Sequence, residues 1–183
     1  KDILNLVYLC KHYGLEEVAD YWHQVVKIND YQKDRFAKKI IEGLNQTINQ
    51  KKITIFGWAF KKDTNDTRES AAIYVAQRLL EEGALLQIYD PMVDKAQILY
   101  DMEELWRAKE ISLSKKQHFI KQIKVYRKHT NAILDSSAVV ILTEWDEFIG
   151  YDWDYIKSKL VKPIKIFDGR NILELENVNY IGK

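Results

Sequence analysis

Apolar positions over the first fifty residues recur at helical spacing. Ile3, Leu6, Val7 and Cys10 share one face of a first helix, which Gly14 is suited to end. A second helix is predicted from Glu16 to about Asn29, carrying Val18, Trp22, Val25 and Val26. A third, from about Tyr31 to Asn49, places Phe36, Ala37, Ile40, Ile41, Leu44 and Ile48 on one stripe. That stripe is long enough for the spine of an interface and suits packing on its own domain equally well.

The period changes after Lys51. ITIFG (Ile53–Gly57) is a short β-rich run, and Arg68 to about Glu82 is amphipathic through Ala72, Val75, Ala76, Leu79 and Leu80. Gly83 follows as the residue after the helix, and LLQIYDP supplies a second strand ending at Asp90-Pro91. This is a β-α-β unit, whose helical crossover makes the two strands parallel. Ile98 to Tyr126 is less regular and reads as a short strand (ILYDM), a variable insertion around Trp106 and another short strand (IKVYR). Thr130–Leu134 reads as a brief helix, AVVILTEW (Ala138–Trp145) as a strand and Asp152–Lys159 as a helix. After the break at Pro163, IKIFDGR (Ile164–Arg170) is a buried strand, and NYIG closes the sheet. Strands alternating with helices predict an α/β fold, a Rossmann-like, mostly parallel open sheet flanked by helices, preceded by an α-helical segment. The expected organisation is residues 1–49 as a helical segment and 50–183 as the sheet domain.

Composition narrows the classes. With 46% hydrophobic and 30% charged residues and a net charge of +1, the chain is that of a folded globular protein with no bias toward nucleic acid or membrane surfaces. Its single cysteine, Cys10, excludes an internal disulfide and suits a reducing cytoplasm. Lying on the apolar face of the first helix, Cys10 reads as a buried structural thiol rather than a nucleophile. The chain opens on Lys1-Asp2, directly into an apolar-periodic segment, and reads as a piece of something longer.

Ligands of open α/β sheets sit outside the carboxyl ends of the strands. The candidate segments are therefore Gly57–Arg68, Asp90-Pro91, Thr143–Trp145 and Asp168–Arg170. Within the first, Lys61, Lys62 and Arg68 crowd a helix start, where backbone N–H groups favour an anion. Bringing Lys61, Arg68 and Arg170 to one rim calls for negative charge between them; the bland alternative makes each a solvated surface cation. The first turn, GWAFKK, lacks the G-x-G-x-x-G pattern, with Ala59 and Lys62 where the later glycines belong, so a pyrophosphate cannot approach the backbone as in dinucleotide folds. His12, His23, His118 and His129 show no metal-binding spacing, and no nucleophile elbow or P-loop is present. Asp63, Asp66 and Glu69 read as capping and pairing groups for the neighbouring cations.

GWAFKKDTNDTRES, then IYDP, LTEW and FDGRN in that order, resemble the C-terminal part of the UDP-glucose/GDP-mannose dehydrogenase family, with DTRES and FDGR favouring its UDP-glucose branch. The resemblance covers nearly the whole chain and is weakest over residues 107–124. KDILNLVYLC looks like the segment following that family's catalytic cysteine, and the helices through Asn49 look like its central dimerisation helices. The resemblance implies a UDP-binding domain of an enzyme that oxidises UDP-glucose to UDP-glucuronate through a cysteine thioester, with NAD accepting the hydrides. By position it implies Phe60, Lys61 and Arg170 for the substrate, Arg68 and Lys1 for NAD, and Asp2 as an aid to the hydrolytic step. Trp58 and Asn65 stand where relatives often carry smaller residues. The nucleophilic cysteine and the NAD domain are expected to precede Lys1, and this chain alone is expected to be inactive. Alternatives within the class are UDP-N-acetylmannosamine and GDP-mannose dehydrogenases; outside it, a non-catalytic nucleotide-binding or dimerisation module. The implied partners are UDP-glucose and a second copy of the chain, as a homodimer or larger homo-oligomer.

Overall fold

The computed structural model describes residues 2–176 and 178–180, the last three through their backbone. Two helices come first, α1 (Asp2–His12) and α2 (Glu16–Gly43). Then follow β1 (Lys52–Phe56), α3 (Ala71–Glu81), β2 (Leu85–Tyr89), α4 (Lys95–Ala108), α5 (Leu113–Gln122) and β3 (Ile123–Val125). The series continues with α6 (His129–Ala132), β4 (Ala138–Ile141), α7 (Asp146–Ile149), α8 (Trp153–Lys159), β5 (Ile166–Asp168) and β6 (Val178–Tyr180). Among the described residues no helix is long and apolar enough to cross a membrane.

The six strands form one sheet in the order β3-β2-β1-β4-β5-β6, every pair parallel. This is the Rossmann-like sheet read from the alternation of strands and helices. Its centre is β1 and β4, whose Ile53–Phe56 and Ala138–Ile141 are buried throughout, as expected for strands covered on both faces. The chain runs outward from β1 to β3, then returns to β4 on the other side of β1, so the crevice of such a sheet opens above β1 and β4. Of the closing run NYIG, Asn179 and Tyr180 lie in β6, and residues 181–183 fall outside the described residues.

Several elements differ from their sequence-based expectation. The second and third helices are one helix of 28 residues, α2. Nothing between Asn29 and Tyr31 breaks it, because neither glycine nor proline occurs there and the polar side chains face outward. Its C-terminal turns bury Phe36, Ala37 and Ile40 in the core of the sheet, joined beyond the helix by Leu44 and Ile48. Gly43 lets this helix approach β5, since a Cβ there would lie 2.6 Å from the Phe167 ring. Its N-terminal half packs instead on α1, through a small separate cluster of Val7, Cys10 and Ala19.

The run Ile98–Met102, read as a strand, is helical in α4. Ile98, Met102 and Trp106 recur four residues apart and are all fully buried, the periodicity of one helix face. Asp94 caps that helix by accepting from the Gln97 N–H at 2.9 Å. The variable insertion around Trp106 is the end of α4 together with α5, whose Phe119 packs near Trp106 with ring centroids 5.7 Å apart. The helix expected from Arg68 begins at Ala71, capped by Ser70. Lys61, Lys62 and Arg68 therefore belong to the preceding loop and not to a helix N-terminus.

Candidate nucleotide site at the sheet rim

The loop 57–70 leaves β1 at Gly57, in the left-handed region at φ 92°, where a Cβ would lie 2.5 Å from the Thr143 side chain. Thr143, from the end of β4, donates its hydroxyl to the Ala59 carbonyl at 2.6 Å. Thr143 thus packs directly against the first turn, at a position whose sequence lacks the glycine pattern of dinucleotide folds.

Two carboxylates hold the loop. Asp90, at the end of β2 and buried, accepts at Oδ2 from the Trp58 and Ala59 N–H groups (2.6 and 3.0 Å) and from the Trp145 indole (3.1 Å). Its Oδ1 accepts from the Met92 and Val93 N–H groups. Asp101, on α4, accepts from the Trp58 indole and the Thr67 hydroxyl, both at 2.9 Å. Trp58 is fully buried, so the loop is anchored from within as well as along its backbone. The Asp90-Pro91 strand end stood out in the sequence, whereas Asp101 did not. Gln97, four residues before Asp101, donates to it at 2.8 Å; that helical spacing was the available signal.

The anchored loop presents Phe60, a residue 48% exposed. Beside it stands Lys61, exposed, with no ion pair or hydrogen-bond partner for its ammonium among the described residues. Arg170 follows β5 and is fixed from several sides. Its Nε donates to the Leu142 carbonyl at 2.7 Å, and one terminal nitrogen donates to the Phe60 carbonyl at 3.4 Å. Fully buried Asp168 accepts from the Arg170 N–H and, through its other oxygen, from the N–H groups of Ile172 and Leu173. Phe60 and Arg170 are thereby brought together from segments 110 positions apart.

Asp2, Phe60 and Arg170 border one cavity of about 570 Å³, walled by α1, the middle of α2 and the ends of β4 and β5. Apolar residues such as Val25, Phe36 and Leu142 line much of it. Lys61 and Arg68 stand outside this lining, and Lys1 lies outside the described residues. Arg68 is 67% exposed and forms a two-pronged pair with Asp66 (2.8 and 2.6 Å), which raises its pKa through the hydrogen bond and the adjacent charge. Lys62 pairs with Asp146 at 2.7 Å, and that hydrogen bond raises its pKa. The three cations expected at one rim are thus differently placed: Arg68 is neutralised locally, Arg170 lies beside Glu144, and Lys61 alone lacks a counter-ion among the described residues.

On the cavity's other wall Lys33 pairs with Asp30 at 3.1 Å and sits 3.9 Å above the Tyr74 ring. The Tyr74 hydroxyl donates to Glu69 at 3.3 Å, and burial with the nearby carboxylate pushes its pKa to about 12. Among the described residues no group of histidine, cysteine and carboxylate side chains could hold a metal ion. Cys10 is buried against the α1–α2 cluster, away from the cavity lining.

Comparison with known proteins shows the family. Residues 54–175 match the model described as "UDP-glucose/GDP-mannose dehydrogenase family, UDP binding domain". The chain is 48% identical over 183 residues to a UDP-glucose 6-dehydrogenase of Drosophila melanogaster, covering all of this chain and 37% of that relative. It is 47% identical over 174 residues to the Bos taurus UDP-glucose 6-dehydrogenase, covering 95% of this chain and 34% of that one. The chain thus spans about a third of the length of these relatives. A solved UDP-glucose dehydrogenase from Pyrobaculum islandicum shares the fold, with a TM-score of 0.67 at 23% identity over 98% of this chain and 35% of its own. From the match that begins in β1 and runs past the FDGR strand end, the chain belongs to the UDP-glucose/GDP-mannose dehydrogenase family.

Proposed function

We propose that this chain is the UDP-sugar-binding part of a UDP-glucose 6-dehydrogenase, which oxidises the C6 hydroxyl of UDP-glucose to the carboxylate of UDP-glucuronate. The observation that carries the reading is the meeting of Asp2, Phe60 and Arg170 on one cavity at the carboxyl ends of β4 and β5. Half-exposed Phe60 offers a flat apolar ring, and Arg170 offers a preset guanidinium for an anionic or hydroxyl-bearing ligand. Lys61, without a counter-ion among the described residues, supplies a second positive group at the rim.

NAD, when bound, accepts the hydrides. The first turn of this chain does not fit a dinucleotide, because Thr143 fills the approach to Gly57. We therefore assign NAD to another part of the full-length enzyme, with Arg68, which is exposed, as one of this chain's contributions and Lys1, outside the described residues, as the other. We assign Asp2, which lines the cavity, to orienting a water in the hydrolytic step. Tyr8 on α1, Tyr13 in the turn that follows it, and Tyr21, Ile28 and Tyr31 on α2 are exposed, and we take this surface to join a second copy of the chain. The working compartment on this reading is the cytoplasm, where the lone thiol stays reduced.

Titration calorimetry with UDP, using GDP for comparison, tests the reading. UDP binds, and Lys61→Ala and Arg170→Ala each weaken it by about 1–3 kcal/mol, the range of a charge-assisted hydrogen bond. Unchanged affinity in both variants would defeat the assignment.

A further inference from the structure

Glu144 lies just past β4, beside the guanidinium that the proposed site turns toward its ligand. Its Oε2 is 3.3 Å from Arg170 Nε, and the two side chains are similarly sheltered at 32% and 31% exposure. The contact is not a hydrogen bond: the single Nε proton is given to the Leu142 carbonyl at 2.7 Å. Glu144 Oε2 is buried and accepts no hydrogen bond among the described residues. Lys62, which also feels the charge of Glu144, gives its ammonium to Asp146 at 2.7 and 2.9 Å.

Arg170 is aimed by other groups. The Leu142 and Phe60 carbonyls take two of its N–H bonds, and Asp168 holds its backbone N–H. A carboxylate without a hydrogen bond, next to a guanidinium that does not need it for orientation, acts chiefly through its charge. Its half-sheltered position keeps that charge from being fully screened.

Resting on the nucleotide reading above, we propose that Glu144 is a specificity-determining residue that tempers Arg170, so that the site discriminates among nucleotides by negative charge. An anion brought to Arg170 also meets the field of Glu144, and the repulsion grows with the ligand's charge. A nucleoside diphosphate ends in a phosphate monoester whose second ionisation lies near neutrality. In a nucleotide sugar the same phosphate is a diester without that ionisation. Glu144 therefore disfavours the free diphosphate more than the sugar conjugate. It also eases the departure of a product that has gained a carboxylate.

Calorimetry of the 183-residue chain and its Glu144→Gln variant with uridine, UDP and UDP-glucose tests this. The variant should bind UDP about tenfold more tightly and UDP-glucose by a smaller factor, with uridine unchanged. A variant that melts like the parent yet binds UDP equally or less well overturns the inference. If the parent itself binds no UDP, the nucleotide reading fails first, a distinct result that takes this inference with it. Should Glu144→Gln lose its cooperative melt, Glu144→Asp, which keeps the charge but withdraws it, must tighten UDP more than UDP-glucose; weaker UDP binding there also overturns the inference.

Discussion

Five N–H groups converge on the buried carboxylate of Asp90: four from the backbone and one from the Trp145 indole. Removing the acceptor leaves several buried donors without a partner, each costing about 1–3 kcal/mol if no water replaces it. Asp90→Ala should therefore lower stability by about 3 kcal/mol or more in denaturant unfolding, with Asp90→Asn in between because its amide still accepts but also opposes some donors. A loss below about 1 kcal/mol for the alanine variant would mean that the loop is held by Asp101 and Trp58 instead. At this scale the sequence was informative about position and silent about partners. Strand-end rules pointed to Asp90, to Glu144 and to Arg170, but the donors to Asp90 come from as far as 55 residues away. The pairing of Arg68 with Asp66 was anticipated, since the residues are two apart. The pairing of Lys62 with Asp146 was not, across 84 residues.

Among the elements, periodicity was most reliable where one face is buried and least reliable where a short apolar run was read without its neighbours. ILYDM looks like a strand in isolation, yet Ile98 and Met102 with Trp106 form a fully buried helical row. Extending the window to Trp106 is what separates the two readings. The division expected near Asn29 does not occur, because exposed polar residues without proline or glycine do not end a helix at that point. The continuity of α2 joins the small α1–α2 cluster to the core of the sheet through a rod about 42 Å long. Asp30→Pro should consequently cost about 3 kcal/mol and reduce helical circular dichroism, since it removes an intrahelical hydrogen bond. Two separate helices meeting at that point would tolerate the substitution with little change.

For the whole molecule, the β-α-β order was enough to place the carboxyl rim, because right-handed crossovers and parallel pairing leave few alternatives. The cavity itself was not legible. It is walled by α1 and the middle of α2, and no local pattern shows that these helices fold back against the strand ends. The same geometry separates the implied site residues into two groups. Asp2, Phe60 and Arg170 share the cavity, while Lys61 and Arg68 stand on the neighbouring loop outside its lining, Lys61 next in sequence to Phe60. The central claim is that the cavity between Phe60 and Arg170 is the seat of UDP. The most direct test is a crystal structure of the chain grown with UDP. It should place the nucleotide in that cavity, in contact with both residues. UDP bound instead in the depression formed by Asp90–Ala96 and Val125–Arg127 would contradict the account.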